Sequence, residues 1–481
     1  MRRLVPIALA WMLVWQMSET AGAARSETIK MVLDTTKPLE FPRGKRLPLF
    51  LWPVMDIGAA DPAEAEKIIR EMNARGIAVI TSWNYGAKDK SLGDALEIAA
   101  IQKKLGLEVC VHASSCLSAF FNGDPSTAHV DDNGERFFDD SFAGYMKMGC
   151  PFAVKSRVPA IREQVEFFAR AYKRRGIPVD FIFTDWEIDG PIEWNGAWAA
   201  SKRCKVCREH IKNIGDFTEF QKALRIVRSE IQNEAYAKPM KSLFKKVLVG
   251  NYGVYPNDGY RYWWDYYEKP VEGAPGKKDQ RAFYRQWFQE FPLTGYTFAM
   301  PVVYTWYSTA LWYDYPDCDY RWFYNLLLNA TNAGKSTPKD TPVIPFVHWH
   351  TTDPPKNPDP SVKQFSEGKY QELLWHMLLR GSDTFFLWCG TNEARDEIRL
   401  LHPVYAAALE YKDFLDNGEP ICFDVPTRQG PVVSGLRLKK QVLVRRTDFD
   451  DTQTPVELRV GNETLSVPRL EGKCQILRLG K

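Results

Sequence analysis

The sequence lacks the short motifs that mark several large enzyme classes. None of the patterns G-x-G-x-x-G, G-x-x-x-x-G-K-[ST], G-x-S-x-G or H-E-x-x-H occurs, which argues against dinucleotide, P-loop, serine-hydrolase and zinc-peptidase chemistry. A charge excess is also missing, since 63 basic and 60 acidic side chains give a formal net charge of +3. We therefore expect a partner that is neither a nucleic acid nor a membrane surface.

Long hydrophobic runs are missing as well, because no stretch after residue 23 reaches the length of a membrane span. The first 23 residues have the pattern of a secretory signal peptide. Arg2 and Arg3 precede an apolar run at 4–15, and Ala21-Gly22-Ala23 supplies small residues for cleavage. No cysteine stands at the cleavage point, so we expect a secreted or periplasmic protein without a membrane anchor.

Cysteine is present in an odd number, nine, so at least one thiol is expected to be unpaired within an exported chain. Cys204, Cys207 and His210 form a C-x-x-C-x-x-H pattern, but the sequence shows no evident fourth ligand. A local disulfide or free thiols are therefore favoured over structural zinc. We predict neither a metal nor a cofactor.

The fold is predicted from eight apolar runs that alternate with amphipathic helical segments. Several helical segments end in glycine just before the next run, as in GIAVITSW, GLEVCVH and GSDTFFLW. This rhythm favours an α/β fold, a (β/α)8 TIM barrel over residues 40–417, rather than an open doubly wound sheet. The runs lie at 48–54, 78–82, 108–113, 179–184, 246–251, 297–304, 343–349 and 384–388.

Two further features complete the predicted organisation. Insertions follow the third, fourth and fifth runs, at 114–151, 188–210 and 253–283, all on the face where such barrels place their active sites. From residue 418 onward, short alternating strands separated by turn residues predict a small antiparallel β domain over 418–481. We expect this domain to pack against the barrel, and the protein to be a monomer.

The most informative stretch is VDFIFTDWEIDG at 179–190, in which a strand runs into Asp185, Trp186 and Glu187. Side chains alternate along a strand, so Asp185 and Glu187 point to the same side. Two carboxylates held close together raise the pKa of one of them, as a general acid near neutral pH requires. Acids at the C-terminal end of a barrel strand are typical of catalysis, although helix capping or an ion pair is the simpler alternative.

Aromatic residues make up 13% of the chain and recur at the predicted strand ends. Flat aromatic faces are suited to stacking on sugar rings, which predicts an oligo- or polysaccharide partner. The predicted substrate-binding residues are Trp388, Tyr252, Trp83, Trp52, Asn251, Trp306 and His348.

The acids predict a particular kind of glycoside cleavage. The sixth and seventh runs, FAMPVVYTWY and PVIPFVHWHT, carry no acid that would serve as a second carboxylate. An Asp-x-Glu pair on one strand then fits substrate-assisted cleavage, in which a 2-acetamido oxygen attacks the anomeric carbon. Glu187 is the predicted acid/base, and Asp185 orients and stabilises the acetamido group.

Four segments together resemble the hyaluronidase-type glycoside hydrolases, in the right order over roughly 150–390: DFIFTDWEIDGPIEW, NYGVYPNDGY, MPVVY and LLRGSDTFFLWCG. The resemblance implies a substrate containing N-acetylhexosamine. It also implies that Tyr304 donates a hydroxyl to the acetamido group, that Trp388 is the platform of the cleavage subsite and that Tyr252 lines the pocket.

Alternatives remain open at this stage. Chitinase-type barrels share the Asp-x-Glu arrangement but have a longer acidic motif than this chain. A two-carboxylate glycosidase would use Asp56, Asp189 or Asp258 as nucleophile or base. A non-catalytic carbohydrate-binding protein on a glycosidase barrel is the rival from another class. His348 and His350 with Asp353 form a possible metal site, but substrate or structural hydrogen bonding is favoured for these histidines.

Overall fold

The computed structural model describes residues 21–57, 61–117, 123–141, 147–186, 195–257, 260–262, 266–268, 284–286 and 290–480. The predicted acid Glu187, the alternative acids Asp189 and Asp258, and most of the predicted signal peptide lie outside these ranges. Within them, no helix combines the length and the apolar character needed to cross a bilayer.

Each of the eight predicted runs contains or overlaps an observed parallel strand. Two four-stranded parallel sheets result, with the strand orders β1-β13-β12-β11 and β2-β3-β6-β7. The strands are β1 (Phe50–Leu51), β2 (Ile80–Ser82), β3 (Cys110–His112), β6 (Phe181–Thr184), β7 (Leu248–Asn251), β11 (Val302–Trp306), β12 (Phe346–Thr352) and β13 (Phe386–Leu387).

The helices between these strands begin and end where local sequence signals predict. The carboxylate of Asp61 accepts hydrogen bonds from the N–H groups of Ala63 and Glu64 and so caps its helix. Gly76 and Gly106 adopt positive φ at the helix ends before β2 and β3, where a side chain is strained. The helices are α1 (Ala21–Thr35), α2 (Pro62–Ala74), α3 (Lys88–Lys104), α4 (Pro151–Val154), α5 (Val158–Arg174), α6 (Asn195–Arg203), α7 (Lys205–His210), α8 (Phe217–Gln232), α9 (Lys238–Leu243), α10 (Phe291–Thr294), α11 (Cys318–Ser336), α12 (Glu367–Leu378), α13 (Ala394–Ala408) and α14 (Lys412–Asn417).

The two parallel sheets meet along two seams. At one seam, a single parallel bridge joins Leu49 to Ile77. At the other, the N–H of Thr297 donates to the carbonyl of Val249 over 2.8 Å. Neither seam forms a continuous ladder, so the structure establishes a mixed α/β fold, whereas the closed barrel remains a prediction.

A layer of phenylalanine side chains fills the space between the sheets. The rings of Phe50 and Phe181, from different sheets, stack with centroids 4.2 Å apart, and Phe298 lies 5.1 Å from Phe181. Phe183 and Phe386, also from different sheets, have centroids 4.7 Å apart, and their rings are tilted by 42°. We refer to Phe50, Phe181, Phe183, Phe298, Phe346 and Phe386 as the phenylalanine layer.

The folded unit includes residues that the sequence analysis left outside the barrel. Helix α1 packs against α13, and its Ile29 and Val32 are buried in the main core. The packed chain therefore begins before residue 40.

Short antiparallel strands occupy two of the insertions. In the first insertion, β4 (His129–Val130) pairs with β5 (Arg136–Phe137). In the third, β8 (Tyr260–Tyr262) pairs with β9 (Tyr266–Glu268) and also with β10 (Tyr284–Gln286), which follows directly after the insertion.

The C-terminal part forms two antiparallel sheets, as predicted from the alternating pattern. Strands β14-β15-β16-β19 form one sheet and β17-β18 the other. The first sheet packs on α12 and the end of α14 through Leu379, Phe414, Leu436 and Leu443. Its strands are β14 (Glu419–Pro420), β15 (Val432–Leu438), β16 (Gln441–Thr447) and β19 (Cys474–Arg478), and the second sheet contains β17 (Val456–Val460) and β18 (Glu463–Val467).

Candidate active site

The buried side chain of Asn251 holds the chain where β6 ends. Its Oδ1 accepts hydrogen bonds from the hydroxyl of Thr184 at 3.0 Å and from the N–H of Trp186 at 2.8 Å. Its Nδ2 donates to the carbonyl of Trp186 at 3.1 Å. Asn251, which was predicted to bind substrate, is fully buried and holds the Thr184 hydroxyl and the Trp186 backbone on either side of Asp185.

Asp185 lies half-buried at the end of β6 and is tied to the neighbouring strand. Its backbone N–H donates to the hydroxyl oxygen of Ser114 over 2.6 Å. The same hydroxyl lies 2.6 Å from Nε2 of His112, the last residue of β3. Because the oxygen already accepts from Asp185, the Ser114 proton is available for Nε2.

His112 is a site residue that the sequence analysis missed. Its ring lies 5.1 Å from Trp52 and 5.7 Å from Phe183, at the top of the phenylalanine layer. Burial lowers the pKa of His112 to about 4, so the imidazole is neutral near pH 7. The sequence did contain a signal for this residue, because His112 is one of only seven histidines and lies at the C-terminal end of a predicted strand.

A second group of predicted site residues gathers at the ends of β7, β11, β12 and β13. The hydroxyls of Tyr252 and Tyr304 lie 2.7 Å apart. The Tyr304 ring stacks on Trp388 with centroids 5.6 Å apart and an interplanar angle of 29°. The ring of His348 meets Trp388 edge-on at 5.0 Å. We call Tyr252, Tyr304, His348 and Trp388 the aromatic cluster.

The aromatic cluster and the Asp185 side of the site share one base. Phe346 of the phenylalanine layer lies 5.2 Å from the Tyr252 ring and 6.3 Å from the Trp52 ring. Trp52, a predicted substrate contact, is half-buried beside His112. The structure therefore brings strand ends from both sheets to one place.

Glu397 on α13 anchors the two histidines of β12 and was not found from the sequence. Its fully buried carboxylate accepts from the N–H groups of Trp349 and His350, each at 2.9 Å. The Nδ1 atoms of His348 and His350 lie 2.9 and 2.8 Å from its Oε1. A glutamate within an amphipathic helix gives no sequence signal for this role.

The charge state of Glu397 follows from these contacts. Burial alone raises the pKa of Glu397, but the imidazoles of His348 and His350 and the backbone N–H outweigh it, so the pKa falls to about 2. The bond to Glu397 raises the pKa of His350. Because the carboxylate also accepts from backbone N–H groups of β12, Glu397 anchors this strand to α13.

Asp353, which the metal site considered for these histidines required, lies elsewhere. It follows β12 with a positive φ of 52°, and burial raises its pKa. Trp306, a predicted substrate contact, is half-buried at this edge. Asp56, an alternative catalytic acid, has a positive φ of 61°, and its carboxylate accepts the N–H of Ser82 at 2.6 Å.

Trp83 is not part of this site. Its side chain is fully buried and stacks on Phe168 of α5, with ring centroids 5.3 Å apart and an interplanar angle of 9°. Tyr172 covers its edge. The predicted sugar contact is corrected, because the ring packs behind the sheet against a helix.

Comparison with known proteins gave matches to solved structures alone. No family model matches the chain, and no curated protein matches it. An α-galactosidase of glycoside hydrolase family 36 from Geobacillus stearothermophilus, in complex with raffinose, has 10% identity and a TM-score of 0.42 over 94% of this chain and 58% of that chain. The chain thus spans somewhat more than half of that protein.

Two further similar structures come from Bacteroides species. An α-L-fucosidase of family 29 from Bacteroides thetaiotaomicron has 10% identity and a TM-score of 0.36, over 98% of this chain and 87% of that chain. A family 5 glycoside hydrolase from Bacteroides vulgatus has 12% identity and a TM-score of 0.38, over 88% of this chain and 83% of that chain. All three of these structures are described as glycoside hydrolases, and none of the three as hyaluronidase-type.

Proposed function

We propose that this protein is an exported glycoside hydrolase that cleaves glycans containing N-acetylhexosamine. The observation that carries the proposal is the aromatic cluster, which places two tyrosine hydroxyls and a tryptophan face beside the strand end that carries Asp185. Aromatic faces and directed hydroxyls at converging strand ends are the groups that bind and orient a sugar ring.

A closed (β/α)8 barrel is the architecture that we propose for the two sheets. The bridge from Leu49 to Ile77 and the bond from Thr297 to Val249 join their edges on both sides. Side chains from β1, β6 and β13 also meet in the phenylalanine layer, as expected where strands surround a common interior. In such a barrel, the aromatic cluster and Asp185 lie on the face that carries catalysis.

Within the aromatic cluster, the two tyrosines have complementary tasks. We propose that the Tyr252 hydroxyl donates to the Tyr304 oxygen and so fixes the orientation in which Tyr304 donates onward. A donor fixed in this way holds an acetamido oxygen in the geometry needed to attack the anomeric carbon. Trp388 offers its ring face to the same sugar.

Substrate-assisted cleavage is consistent with how Glu397, Asp56 and Asp185 are used. Glu397 is engaged with backbone donors and histidines, and Asp56 is bound to Ser82, so both serve the fold. Asp185 faces the site at a strand end, where a carboxylate stabilises the positive charge of an oxazolinium intermediate. Glu187, two residues further on, is the acid/base of this proposal.

The experiment compares glycans that contain N-acetylhexosamine with matched glycans that carry a 2-hydroxyl, with analysis of the products at the reducing end. We expect turnover of the acetamido substrates alone and inhibition by a thiazoline mimic of the cyclic intermediate. Efficient hydrolysis of glucosides or mannosides without inhibition would overturn the mechanism in favour of two carboxylates. Saturable binding without cleavage would identify a carbohydrate-binding protein.

A further inference from the structure

Three cysteines and one histidine that are far apart in the sequence converge in the insertions after β3 and β6. Sγ of Cys207 lies 3.6 Å from Sγ of Cys150 and 3.9 Å from Nδ1 of His129. Sγ of Cys204 lies 3.9 Å from Sγ of Cys150. All four side chains are fully buried. We call these residues the Cys3His cluster.

The spacing of these atoms matches a tetrahedral zinc site. With Zn–S bonds of about 2.3 Å, tetrahedral coordination places neighbouring sulfurs roughly 3.7 to 3.8 Å apart. The two measured S–S distances of 3.6 and 3.9 Å lie on either side of this value. They are far longer than the bond of about 2.05 Å that joins a disulfide.

Apolar side chains surround the Cys3His cluster. Phe137 stacks on the His129 ring at 5.1 Å and, with Phe152 and neighbouring apolar side chains, covers the sulfurs.

His210, the histidine of the C-x-x-C-x-x-H pattern, lies outside the cluster. Its side chain is exposed, its Nδ1 lies 2.8 Å from the carbonyl of Val206, and its ring stacks on Phe152 at 4.3 Å. The other two ligands are Cys150, which lies 54 residues upstream of Cys204, and His129, which lies further upstream still. A local C-x-x-C-x-x-H pattern does not contain them.

We propose that His129, Cys150, Cys204 and Cys207 bind one structural Zn²⁺ ion. Four protein ligands complete a tetrahedron and leave no position for substrate, so the ion serves the fold. It joins β4, the start of α4 and the start of α7. The metal thereby holds the insertion after β3 against the segment that follows Asp185, independently of what the active site cleaves.

The test uses the full chain, purified without chelator and analysed for metal by inductively coupled plasma mass spectrometry. We expect about one zinc ion per chain, the stoichiometry of a single four-ligand site. His129→Ala should lose the metal. Its affinity for zinc should fall by more than about 10- to 100-fold, the loss caused by changing a residue that contacts a ligand but not the metal. His210→Ala should keep it. Retention of zinc in H129A together with its loss in H210A would overturn the ligand set.

A second pair of variants and a measurement on the unaltered protein guard against misfolding of the variants. Cys150→Ser should lose zinc, whereas Cys116→Ser, which changes a buried thiol bonded to the carbonyl of Trp83, should keep it. In the unaltered protein, substitution with Co²⁺ should give the visible spectrum of a tetrahedral site with three thiolates. A Cys150–Cys207 disulfide in the mass spectrum, or free thiols without metal, would overturn the proposal.

Discussion

Tyr304 contributes a single directed group to the proposed site, its hydroxyl, which lies 2.7 Å from that of Tyr252. Tyr304→Phe keeps the ring stacked on Trp388 but removes the donor, so kcat should fall by about 10- to 10³-fold. Tyr252→Phe, the matched variant, leaves the Tyr304 hydroxyl in place and should have a smaller effect. Steady-state kinetics on an acetamido substrate measures both, and an unchanged kcat in Y304F would contradict the assigned role.

Glu187 lies outside the described residues, and its role as acid/base remains a prediction. Glu187→Gln preserves the size of the side chain but cannot donate the required proton, so turnover should fall by about 10² to 10⁴-fold while binding is kept. The exposed Glu163 on α5 provides a matched control, because Glu163→Gln should leave both unchanged. Near-normal turnover by a folded E187Q protein would refute the assignment.

At the scale of elements, the bonds of Glu397 connect α13 to β12. Its pKa of about 2 lies below the ordinary 4.5. Glu397 therefore stabilises the folded state fully above pH 4.5, and this stabilisation is lost as the pH falls toward 2. His350 has a raised pKa. It therefore stabilises the folded state fully below its ordinary pKa of 6.5, and this stabilisation is lost as the pH rises through its pKa in the folded protein. The combined contribution of these two groups to the free energy of unfolding is therefore greatest between these ordinary values.

The loss of stability at acidic pH follows in size from the lowered pKa of Glu397. For a fully buried group this shift corresponds to about 3 kcal/mol in the free energy of unfolding. Glu397→Gln should flatten the dependence of the free energy of unfolding on pH below 4.5. Denaturant titrations at a series of pH values measure this, with the exposed Glu410→Gln as the control. If the free energy of unfolding of E397Q falls equally steeply below pH 4.5, other groups cause the loss of stability.

At the scale of the whole molecule, a polar interface attaches the C-terminal sheet to the α/β unit. Arg380 at the end of α12 is fully buried, and His376 lies 2.6 Å from Ser434 and 3.0 Å from Thr447. Acceptors on both sides of the interface would lose their donor if Arg380 were removed. The acceptors of the Arg380 guanidinium are Thr331, Ser434 and the carbonyls of Phe423, Asp424 and Val433.

This interface predicts that the two parts unfold together. Calorimetry should show one transition, and Arg380→Met should lower the free energy of unfolding by about 3 to 5 kcal/mol, because buried acceptors lose their partner. The exposed Arg437 on β15 offers the control Arg437→Met, with little expected change. Two separate transitions in the unaltered protein would contradict the prediction.

The sequence by itself determined the elements. The period of the apolar runs, the Asp61 cap and the glycines at 76 and 106 depend on interactions within a few residues, so all eight parallel strands were located in advance. It also predicted that Tyr252, Tyr304, His348 and Trp388 lie close together, because residues at the C-terminal ends of parallel strands share one edge.

Only the tertiary structure decided which side chains meet across long separations. His129 and Cys150 join Cys204 and Cys207 through insertions whose paths no local pattern specifies. Glu397 reaches the β12 histidines from a later helix, Asn251 is buried against the end of the neighbouring strand, and Trp83 is buried against a helix. These contacts arise from the packing of distant segments, and packing is a property of the whole chain.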